Sequence, residues 1–587
     1  MITGSSIATL VVFIFSIIFV IYPISIPVPL PYFGRKRIPL DLTTAPILAI
    51  AILWAAQCLG PSVIRDGIVG TDGVKPYNIL ILFFSLAYMA ITLDITGILQ
   101  AAAFWVSNKG GSHGYKLFFY FYVMLTALSI FLGNDPVILS GTAFLVYYTK
   151  VTELNPVSWL MSEFAAANTA SMVLFVGNPT NVVICEGFSV NNAAFTAYTI
   201  LPFLGCSIAC LIALGFQFRN PKYIPRRLTV TEELDVRSVL LDPIGAWVGS
   251  FLLGTCLVVI IVVSFFHVDV WKISLPFAVA KFIYDLAWDH YRYVNDIPML
   301  GHRAKRKNSD DTVSSVPEPE IQMEDQDSER RSIDKLGPKN DDDDEERGAP
   351  VARRVAFNES VTALPTTDPP NTRTNTRSNT YDTTMTLSHT LVDEPISTSL
   401  SPKSIHASVL SWYISKHAAL SAHFPTFFTA LPRLPFALVP FAFSQFILIE
   451  GLTHQGWIEI FANWLVRASQ RQTHPVIWLV GVLGVILCNI SGTNIGATIL
   501  LTKVVRAADL GSENDRAAAI ALAVASNIGA VSFTYSASLA GLLWKQILEQ
   551  KSIFVSQRTF AYWNTLPLLV MTTVGLAIVS AEMAVLY

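Results

Sequence analysis

Charge is scarce in this sequence. Asp, Glu, Lys and Arg together make up 14% of the 587 residues, whereas about 25% is usual for a soluble protein. Apolar runs long enough for a helix to cross the hydrocarbon core recur along the chain, as at 8–29 and 243–266. The low charge excludes a soluble globular protein, and the runs predict an all-α integral membrane protein.

The sequence also lacks paired cysteines and recognisable catalytic motifs. Its six cysteines form no CxxC pair and lie mainly in apolar runs, which favours small buried side chains over disulfides or a zinc site. Neither an HExxH motif nor a nucleophile with its base is present. We therefore predict no enzyme, no metal and no cofactor. The basic clusters lie where membrane topology needs them, so no nucleic-acid partner is predicted.

A polar insertion divides the membrane part into two halves. Residues 300–408 are acidic, rich in Ser and Thr and poor in apolar side chains, so they are predicted to form a disordered cytoplasmic loop. The predicted organisation is an additional N-terminal helix with a basic loop (1–42), a first repeat (43–242), connecting helices (243–299), the loop (300–408) and a second repeat (409–587). The predicted spans are 8–29, 43–60, 77–106, 116–149, 156–185, 197–218, 243–266, 270–288, 432–466, 475–505, 516–546 and 560–585.

Positive charge orients these spans. The basic clusters that begin at Arg35, Lys109, Arg219 and Arg303 should all face the cytoplasm. All of these clusters can lie on the cytoplasmic side only if the run at 116–149 enters and leaves the membrane on the same side, as a re-entrant hairpin. The same count places Lys503 and Arg506 outside, which is expected if the second half is an inverted copy of the first.

Three polar landmarks recur in the same order in both halves. Asp94, Asn134 and Asn168 in the first half match Glu450, Asn489 and Asn527 in the second, with similar spacing and similar flanking sequence. Asp94 and Glu450 are either parts of a proton path or ordinary carboxylates at the membrane edge. Asn168 and Asn527 either line a site or join helices by hydrogen bonds. The repeat predicts two inverted-topology halves.

Each half contains two apolar runs that are broken near their middles. The first half reads "FLGNDPVILSGT" and "FVGNPTNVV", and the second reads "CNISGTNIGAT" and "SFTYSASLAG". Gly releases the backbone, Asn or Asp caps a new helix, and Pro suits its first turn. We expect Asp135 and Asn178 to be N-caps followed by Pro136 and Pro179. Broken helices are tolerated in a membrane where they line a cavity, so four breaks predict a shared polar site.

Ionisable groups inside a membrane are usually functional. Asp135, at the first break, is expected to carry a proton or bind a cation, and the alternative is a carboxylate that only caps the helix. Glu163 is expected to lie at a helix start, where a carboxylate favours the helix dipole.

The broken segments also carry a resemblance. "FLGNDPVILSGTAFLVYY", "AAANTASMVLFVGNPTNVVI" and "GTNIGATILLTKVV" resemble the ion transporter superfamily of arsenite permeases, NhaD-type antiporters and citrate transporters. The resemblance implies two inverted repeats, each with a re-entrant hairpin and a discontinuous helix. The tips differ from the Ser-Asn-Thr of dicarboxylate symporters, which argues against sodium-coupled dicarboxylate transport. The predicted substrate- and ion-binding residues are Asn134, Asp135, Pro136, Asn168, Gly177, Asn178, Pro179, Asn181, Asn489, Ser491, Gly492, Thr493, Asn494, Asn527, Ser532, Thr534 and Ser536.

The functional hypothesis is a secondary active transporter of a small inorganic solute or anion. Arsenite-like efflux or ion/proton exchange is the first alternative, citrate or another dicarboxylate the second, and an ion channel the alternative from a different class. The expected partners are the substrate, H⁺ or Na⁺ as coupling ion, the lipid membrane and a second copy of the chain in a homodimer. The expected location is the plasma or vacuolar membrane.

Overall fold

Helices account for nearly all of the regular structure. The structure is a computed structural model that describes residues 2–30, 34–71, 73–228, 235–266, 268–297 and 404–586. Residues 1–309 and 411–587 form one unit, described below; of the second unit, residues 310–410, the described part is the start of one helix. The predicted loop at 300–408 therefore lies outside the described residues up to 403, and a helix begins at Ser404.

The helices before the insertion range in length from 4 to 26 residues. Their bounds are α1 Gly4–Ile21, α2 Thr44–Ala55, α3 Pro61–Val69, α4 Pro76–Ile95, α5 Ile98–Gly110, α6 Gly114–Leu132, α7 Asn134–Val151, α8 Pro156–Ala170, α9 Pro179–Gly187, α10 Asn192–Gln217, α11 Val236–Val239, α12 Pro243–Val263 and α13 Trp271–Val294.

Nine α-helices follow the insertion among the described residues. Their bounds are α14 Ser404–His423, α15 Pro425–Ala430, α16 Leu438–His454, α17 Trp457–Ser469, α18 Thr473–Ile490, α19 Asn494–Ala508, α20 Ser512–Ile528, α21 Leu539–Gln550 and α22 Gln557–Leu586.

One β-hairpin interrupts the helical architecture. Strands β1 (Ile24–Leu30) and β2 (Gly34–Leu40) pair antiparallel, with Ile24 opposite Leu40. The predicted span at 8–29 therefore ends early, at Ile21. Alternating prolines favour extended backbone over helix here, and a two-stranded ribbon tolerates them because each strand is an edge.

Several long predicted runs are pairs of helices. Gly97 and Gly456 adopt left-handed backbone and separate α4 from α5 and α16 from α17. The runs at 116–149 and 475–505 are the pairs α6–α7 and α18–α19, and those at 156–185 and 516–546 contain α8–α9 and α20–α21. The predicted breaks are therefore present in all four of these runs.

Eight helical segments in the described part are long and apolar enough to cross a membrane. They include α1, α4, α6, α10 and α12, and in the second half α18, α22 and the segment Pro425–His454. A chain with this many such segments is a multi-pass integral membrane protein. The predicted all-α membrane fold is confirmed, with the β-hairpin as its exception.

The two halves pack against each other in a crossed pattern. Helix α7 of the first half packs on α21 of the second, and α19 of the second packs on α9 of the first. The long helices α10 and α22 pack together, as do α8 and α20. Exchanging each element for its counterpart reproduces these contacts, as expected for an internal repeat. The opposite membrane orientation of the halves stays a prediction.

Helix α13 carries a row of buried charges. Lys281, Asp285, Asp289 and Arg292 lie at spacings of three and four residues and are each at least 95% buried, so they share one face. Lys281 pairs with Asp285, which also accepts a hydrogen bond from the Tyr88 hydroxyl at 3.0 Å. The Thr426 amide and hydroxyl both donate to Asp289 at 2.9 Å. These bonds attach α13 to α4 and to α15.

We predict that Gly97→Ala lowers the melting temperature more than Gly456→Ala. Both glycines have positive φ, 87° and 79°, so each alanine adds about 1–2 kcal/mol of backbone strain. A Cβ at position 97 would also collide with the Val239 carbonyl oxygen, whereas one at position 456 would meet only the end of Glu459. Thermal unfolding of both purified variants in detergent is the measurement. Equal losses would contradict the tight packing at Gly97.

Candidate functional site

A single glycine separates the two helices of the first hairpin. Gly133 has φ 82° and ψ 171°, and α7 begins at the next residue. Asn134, Asp135 and Pro136 are therefore the first three helical residues, so the prediction of Asp135 as N-cap and Pro136 as first residue is wrong. No side chain caps this helix, because the residue before it is a glycine. Asp135 is instead free to face the cavity described below.

The second break of the first half follows its prediction. Helix α8 ends at Ala170, a 3-10 turn spans Phe175–Gly177, and Asn178 is the N-cap of α9 with Pro179 as first residue. The Asn178 side chain accepts from the Thr180 amide at 3.1 Å. Gly177 leaves no room for a side chain, because a Cβ there would collide with the Ser171 carbonyl oxygen.

The two breaks of the first half meet. A Cβ on Gly133 would lie 3.3 Å from the Gly177 carbonyl oxygen, so the backbone of the hairpin tip contacts the unwound link. The first turns of α7 and α9 therefore lie close together. A shared polar region of this kind is what the four sequence breaks predicted.

Hydroxyl side chains cap the second-half helices instead of Asn and Pro. Thr493 is the N-cap of α19 and accepts from the Gly496 amide at 3.2 Å, after Gly492 at φ 85°. Ser538 is the N-cap of α21 and accepts from the Gly541 amide at 3.0 Å. Ser538 was not predicted. The predicted Ser532, Thr534 and Ser536 lie in or beside the unwound link that precedes it.

The structure changes one pairing of landmarks between the halves. Asn134 and Asn494 are each the first residue of the returning hairpin helix, so Asn494, rather than Asn489, is the counterpart of Asn134. Asn489 lies near the end of α18, where its Oδ1 accepts from the amides of Phe533 and Thr534 at 3.1 and 3.2 Å. It therefore ties the hairpin to the unwound link.

Asparagine side chains join the helices around the breaks. Asn134 donates to Asn168 at 3.0 Å, and Asn168 donates to the Phe164 carbonyl. Across the halves, Asn527 donates to the Asn181 Oδ1 at 2.7 Å and accepts from the Ser171 hydroxyl at 2.8 Å. These bonds join helices through Asn168 and Asn527, as one of the two alternatives predicted, and their role in lining a site stays a prediction.

A second contact across the halves runs beside the first. The Ser526 hydroxyl donates to the Thr180 hydroxyl at 3.3 Å, and Asn494 donates to the Ser526 carbonyl at 3.4 Å. Asn181 also donates to the carbonyls of Ser171 and Leu174 at 2.9 and 3.0 Å. The side chains of the hairpin tips and the unwound links therefore form one buried polar region.

A cavity of about 770 Å³ reaches the first hairpin tip. None of the tip residues of the second hairpin, 491–494, lines it. Its walls are apolar side chains of α4, α7 and α21 together with a small set of polar and charged groups. That set comprises Asp94, Gln100, Asn134, Asp135, Ser140, Arg433, Gln546, Gln550 and Lys551.

Asp94 and Glu450 each form an ion pair. Asp94 is 3.3 Å from Arg433 at the cavity wall, and Glu450 is 2.8 Å from Lys503 and accepts from the Thr71 hydroxyl at 2.8 Å. Asp94 lies three residues before Gly97, whereas Glu450 lies six before Gly456. The two carboxylates are therefore not at equivalent positions, and only Asp94 lines the cavity. Their role as a proton path stays a prediction.

Glu163 lies in the middle of α8 rather than at a helix start. The helix begins at Pro156, so the predicted interaction with the helix dipole is wrong. Glu163 is fully buried, and one of its oxygens accepts from the Thr142 hydroxyl at 3.0 Å. Gly141 provides the space, because a Cβ there would collide with the other oxygen.

Comparison with known proteins finds similarity to membrane transporters. A family model described as citrate transporter (CitMHS) matches residues 10–295. The chain is 24% identical over 225 residues to the arsenical pump membrane protein of Escherichia coli, covering 37% of this chain and 50% of the relative. It is 23% identical over 231 residues to that of Yersinia enterocolitica, covering 38% and 52%. These similarities agree with the predicted resemblance to the ion transporter superfamily.

The curated relatives match only part of this chain. The chain spans about half the length of the curated relatives it matches. A solved structure described as the Alcanivorax borkumensis YdaH transporter, of unusual topology, aligns with 100% of this chain and 99% of its own, at 9% identity and a TM-score of 0.47. The relatives are named as membrane pumps, in agreement with the prediction that the chain is not an enzyme.

Sequence reasoning missed several buried or cavity-lining groups. Arg433 and Lys551 line the cavity but precede or follow apolar runs, where positive charge usually marks only topology. Gln445 is fully buried on α16 within a run that otherwise reads as a plain span. A glutamine in the middle of an intramembrane apolar run was the available signal, since such residues rarely lie there without a partner.

We predict that Asn181 and Asn527 are energetically coupled. A double-mutant cycle with Asn181→Ala and Asn527→Ala should give a coupling free energy of about 0.6–1.7 kcal/mol, the range found for hydrogen bonds between membrane helices. Reversible unfolding in mixed micelles is the measurement. Asn78 bonds to Glu186 instead, so Asn78→Ala and Asn527→Ala should be additive. Additivity in the first pair would contradict the bond between the halves.

Proposed function

We propose that this chain is a secondary active transporter that works by alternating access. The observation that carries the proposal is the cavity of about 770 Å³, which reaches the first hairpin tip, while the second tip, 491–494, does not line it. A substrate held between two tips that open in turn would be exposed to one side of the membrane at a time. The two halves are proposed to be the inverted repeats that the sequence predicted.

Four helix starts give this site its chemistry. The first turns of α7, α9, α19 and α21 carry backbone N–H groups without partners in their own helices. In the low dielectric of the membrane, these groups and the positive end of each helix favour an anion or an electron-rich oxygen. The buried hydroxyl and amide side chains around them add donors and acceptors. A small oxygen-bearing solute fits this set.

The proposed substrate is a small inorganic solute, with arsenite-like efflux or ion/proton exchange as the activity. The names of the curated relatives support it. Asp135 is proposed to carry the proton or to bind the coupling cation. It lies in the first turn of α7 and lines the cavity, which supports a position beside a substrate bound in the cavity. The proposed location is the plasma or vacuolar membrane, and the proposed assembly is a homodimer.

We predict that Asp135→Asn abolishes coupled flux. The purified protein is placed in liposomes, and arsenite uptake is followed under an imposed proton gradient and, separately, a sodium gradient. Asparagine keeps the size of the side chain but neither releases a proton nor carries a charge, so gradient-driven flux should fall at least tenfold. The matched control is Asp296→Asn, which changes an exposed carboxylate at the end of α13 and should leave flux unchanged.

The same liposomes separate a carrier from a channel. Unlabelled arsenite inside the vesicles should accelerate entry of labelled arsenite in a carrier, because the loaded site returns faster than the empty one. A channel would show no such acceleration. Coupled arsenite flux that survives Asp135→Asn would refute the role of Asp135, and the absence of flux of any solute tested would refute the transporter proposal.

Citrate or another dicarboxylate is the second candidate. Two cationic groups line the cavity, Arg433 and Lys551, and the family model that matches residues 10–295 is described as citrate transporter. Arg433 is paired with Asp94, which leaves the exposed Lys551 as the better carboxylate ligand. If citrate is carried, Lys551→Gln should slow citrate flux severalfold and leave arsenite flux unchanged in the same liposomes. Equal slowing of both would exclude a carboxylate-specific role.

A further inference from the structure

Gln445 is a buried side chain without hydrogen bonds. It lies on α16 and has 0% exposure. Neither its Oε1 nor its Nε2 has a hydrogen-bond partner among the residues that the structure describes. Leaving both ends of an amide unpaired inside a membrane protein is costly, and a buried group of this kind in a native structure needs an explanation, such as a bound ligand, water or ion.

The amide of Gln445 lies beside the start of α19. Gly496 is in the first turn of this helix, and a Cβ on Gly496 would lie 3.3 Å from the Gln445 Oε1 and 3.1 Å from the Ser491 carbonyl oxygen. Any side chain at position 496 would therefore press against the amide. The backbone N–H groups at Asn494 and Ile495 belong to the same first turn and, by their position, have no partner within the helix.

Two other buried amides of the polar region, those of Asn181 and Asn527, are bonded at both ends. Asn181 donates to two carbonyls and accepts from Asn527. Asn527 donates to Asn181 and accepts from the Ser171 hydroxyl. The amides of these two asparagines are occupied by hydrogen bonds within the protein. Gln445, in contrast, has both a donor and an acceptor available for a ligand.

We propose that Gln445 and the first turn of α19 form a ligand subsite for a small oxyacid that carries a hydroxyl group. This inference rests on the proposed function and names the chemistry of its substrate. The Gln445 Oε1 would accept from the ligand hydroxyl, and its Nε2 and the helix N–H groups would donate to ligand oxygens. Arsenous acid and citrate both present a hydroxyl and further oxygens.

A bare cation fits this subsite poorly. Na⁺ would use only the Oε1 of the amide, would face the Nε2 donor, and would lie at the positive end of a helix dipole. The subsite therefore discriminates by hydrogen bonding, in which an unfilled donor and acceptor penalise a ligand that lacks the matching groups. Na⁺ as coupling ion would bind elsewhere.

The test is binding to the full-length protein in lipid nanodiscs. Arsenous acid, citrate and Na⁺ are titrated by calorimetry into wild type and Gln445→Met. Methionine has nearly the same length and no hydrogen-bonding amide. We expect it to weaken binding of the oxyacid at least tenfold, to leave Na⁺ binding unchanged and not to lower the melting temperature, because no protein hydrogen bond is lost.

The matched control is Gln217→Met. Gln217 lies on α10, and its Nε2 donates to the Trp563 carbonyl at 2.8 Å, so it has a structural bond. Gln217→Met should lower the melting temperature and leave ligand affinity unchanged. The pair of variants thus separates a ligand-binding amide from a structural one, which a loss of activity alone would not do.

The outcomes distinguish this inference from the proposed function. If wild type binds neither oxyacid, the proposed function fails and this inference fails with it. If wild type binds one and Gln445→Met binds it equally well, only this inference is overturned. Loss of Na⁺ binding with unchanged oxyacid binding, or a fall in melting temperature like that of Gln217→Met without loss of affinity, would also overturn it.

Discussion

Backbone hydrogen bonding in the membrane interior is the constraint on which this structure depends. Four helices are interrupted where water is scarce, and every exposed N–H and C=O at these points needs a partner or a ligand. Asn178, Thr493 and Ser538 each supply an N-cap. The Asn489 side chain, near the end of α18, also accepts hydrogen bonds from two backbone amides of the unwound link. The side chains at the breaks therefore satisfy backbone hydrogen bonds first. Only hydrogen-bonding groups that remain unpaired are available to bind a substrate.

That requirement divides the polar residues into two groups. The first group forms hydrogen bonds within the protein, and Asn181 and Asn527, which bond to each other, are its clearest members. The other group has hydrogen-bonding capacity left over. Asp135 faces the cavity, and Gln445 faces the first turn of α19. A polar residue at a break is therefore evidence for a site only after its bonds within the protein are known.

The sequence predicted the features that depend on neighbouring residues. The Asn178–Pro179 start of α9 was correct because a cap followed by proline has a local meaning that packing does not alter. Asp135 was misplaced by two positions, because Gly133 with its positive φ took the place of the N-cap. The pairing of Asn134 with Asn489 was wrong because Thr493, unlike Pro, leaves no fixed mark of where a helix begins. Arg433 was missed because its partner, Asp94, lies in another helix, and tertiary contacts of that kind are not encoded in spacing. Gln445 was missed because its burial beside the start of α19 is likewise set by tertiary packing.

The crossed packing of the halves bears on how the chain is made. Helix α7 packs on α21, and α9 packs on α19, so each hairpin and each unwound link of the first half has its partner in the second. A ribosome that has released only the first half has produced helices whose breaks are inserted but not yet covered. The residues between the halves lengthen the time between synthesis of the first half and synthesis of its partners, because they are translated before α16. Completion of the fold is thus delayed until the last helices enter the membrane, and a chain truncated in the second half would leave unpaired polar groups as a signal for quality control.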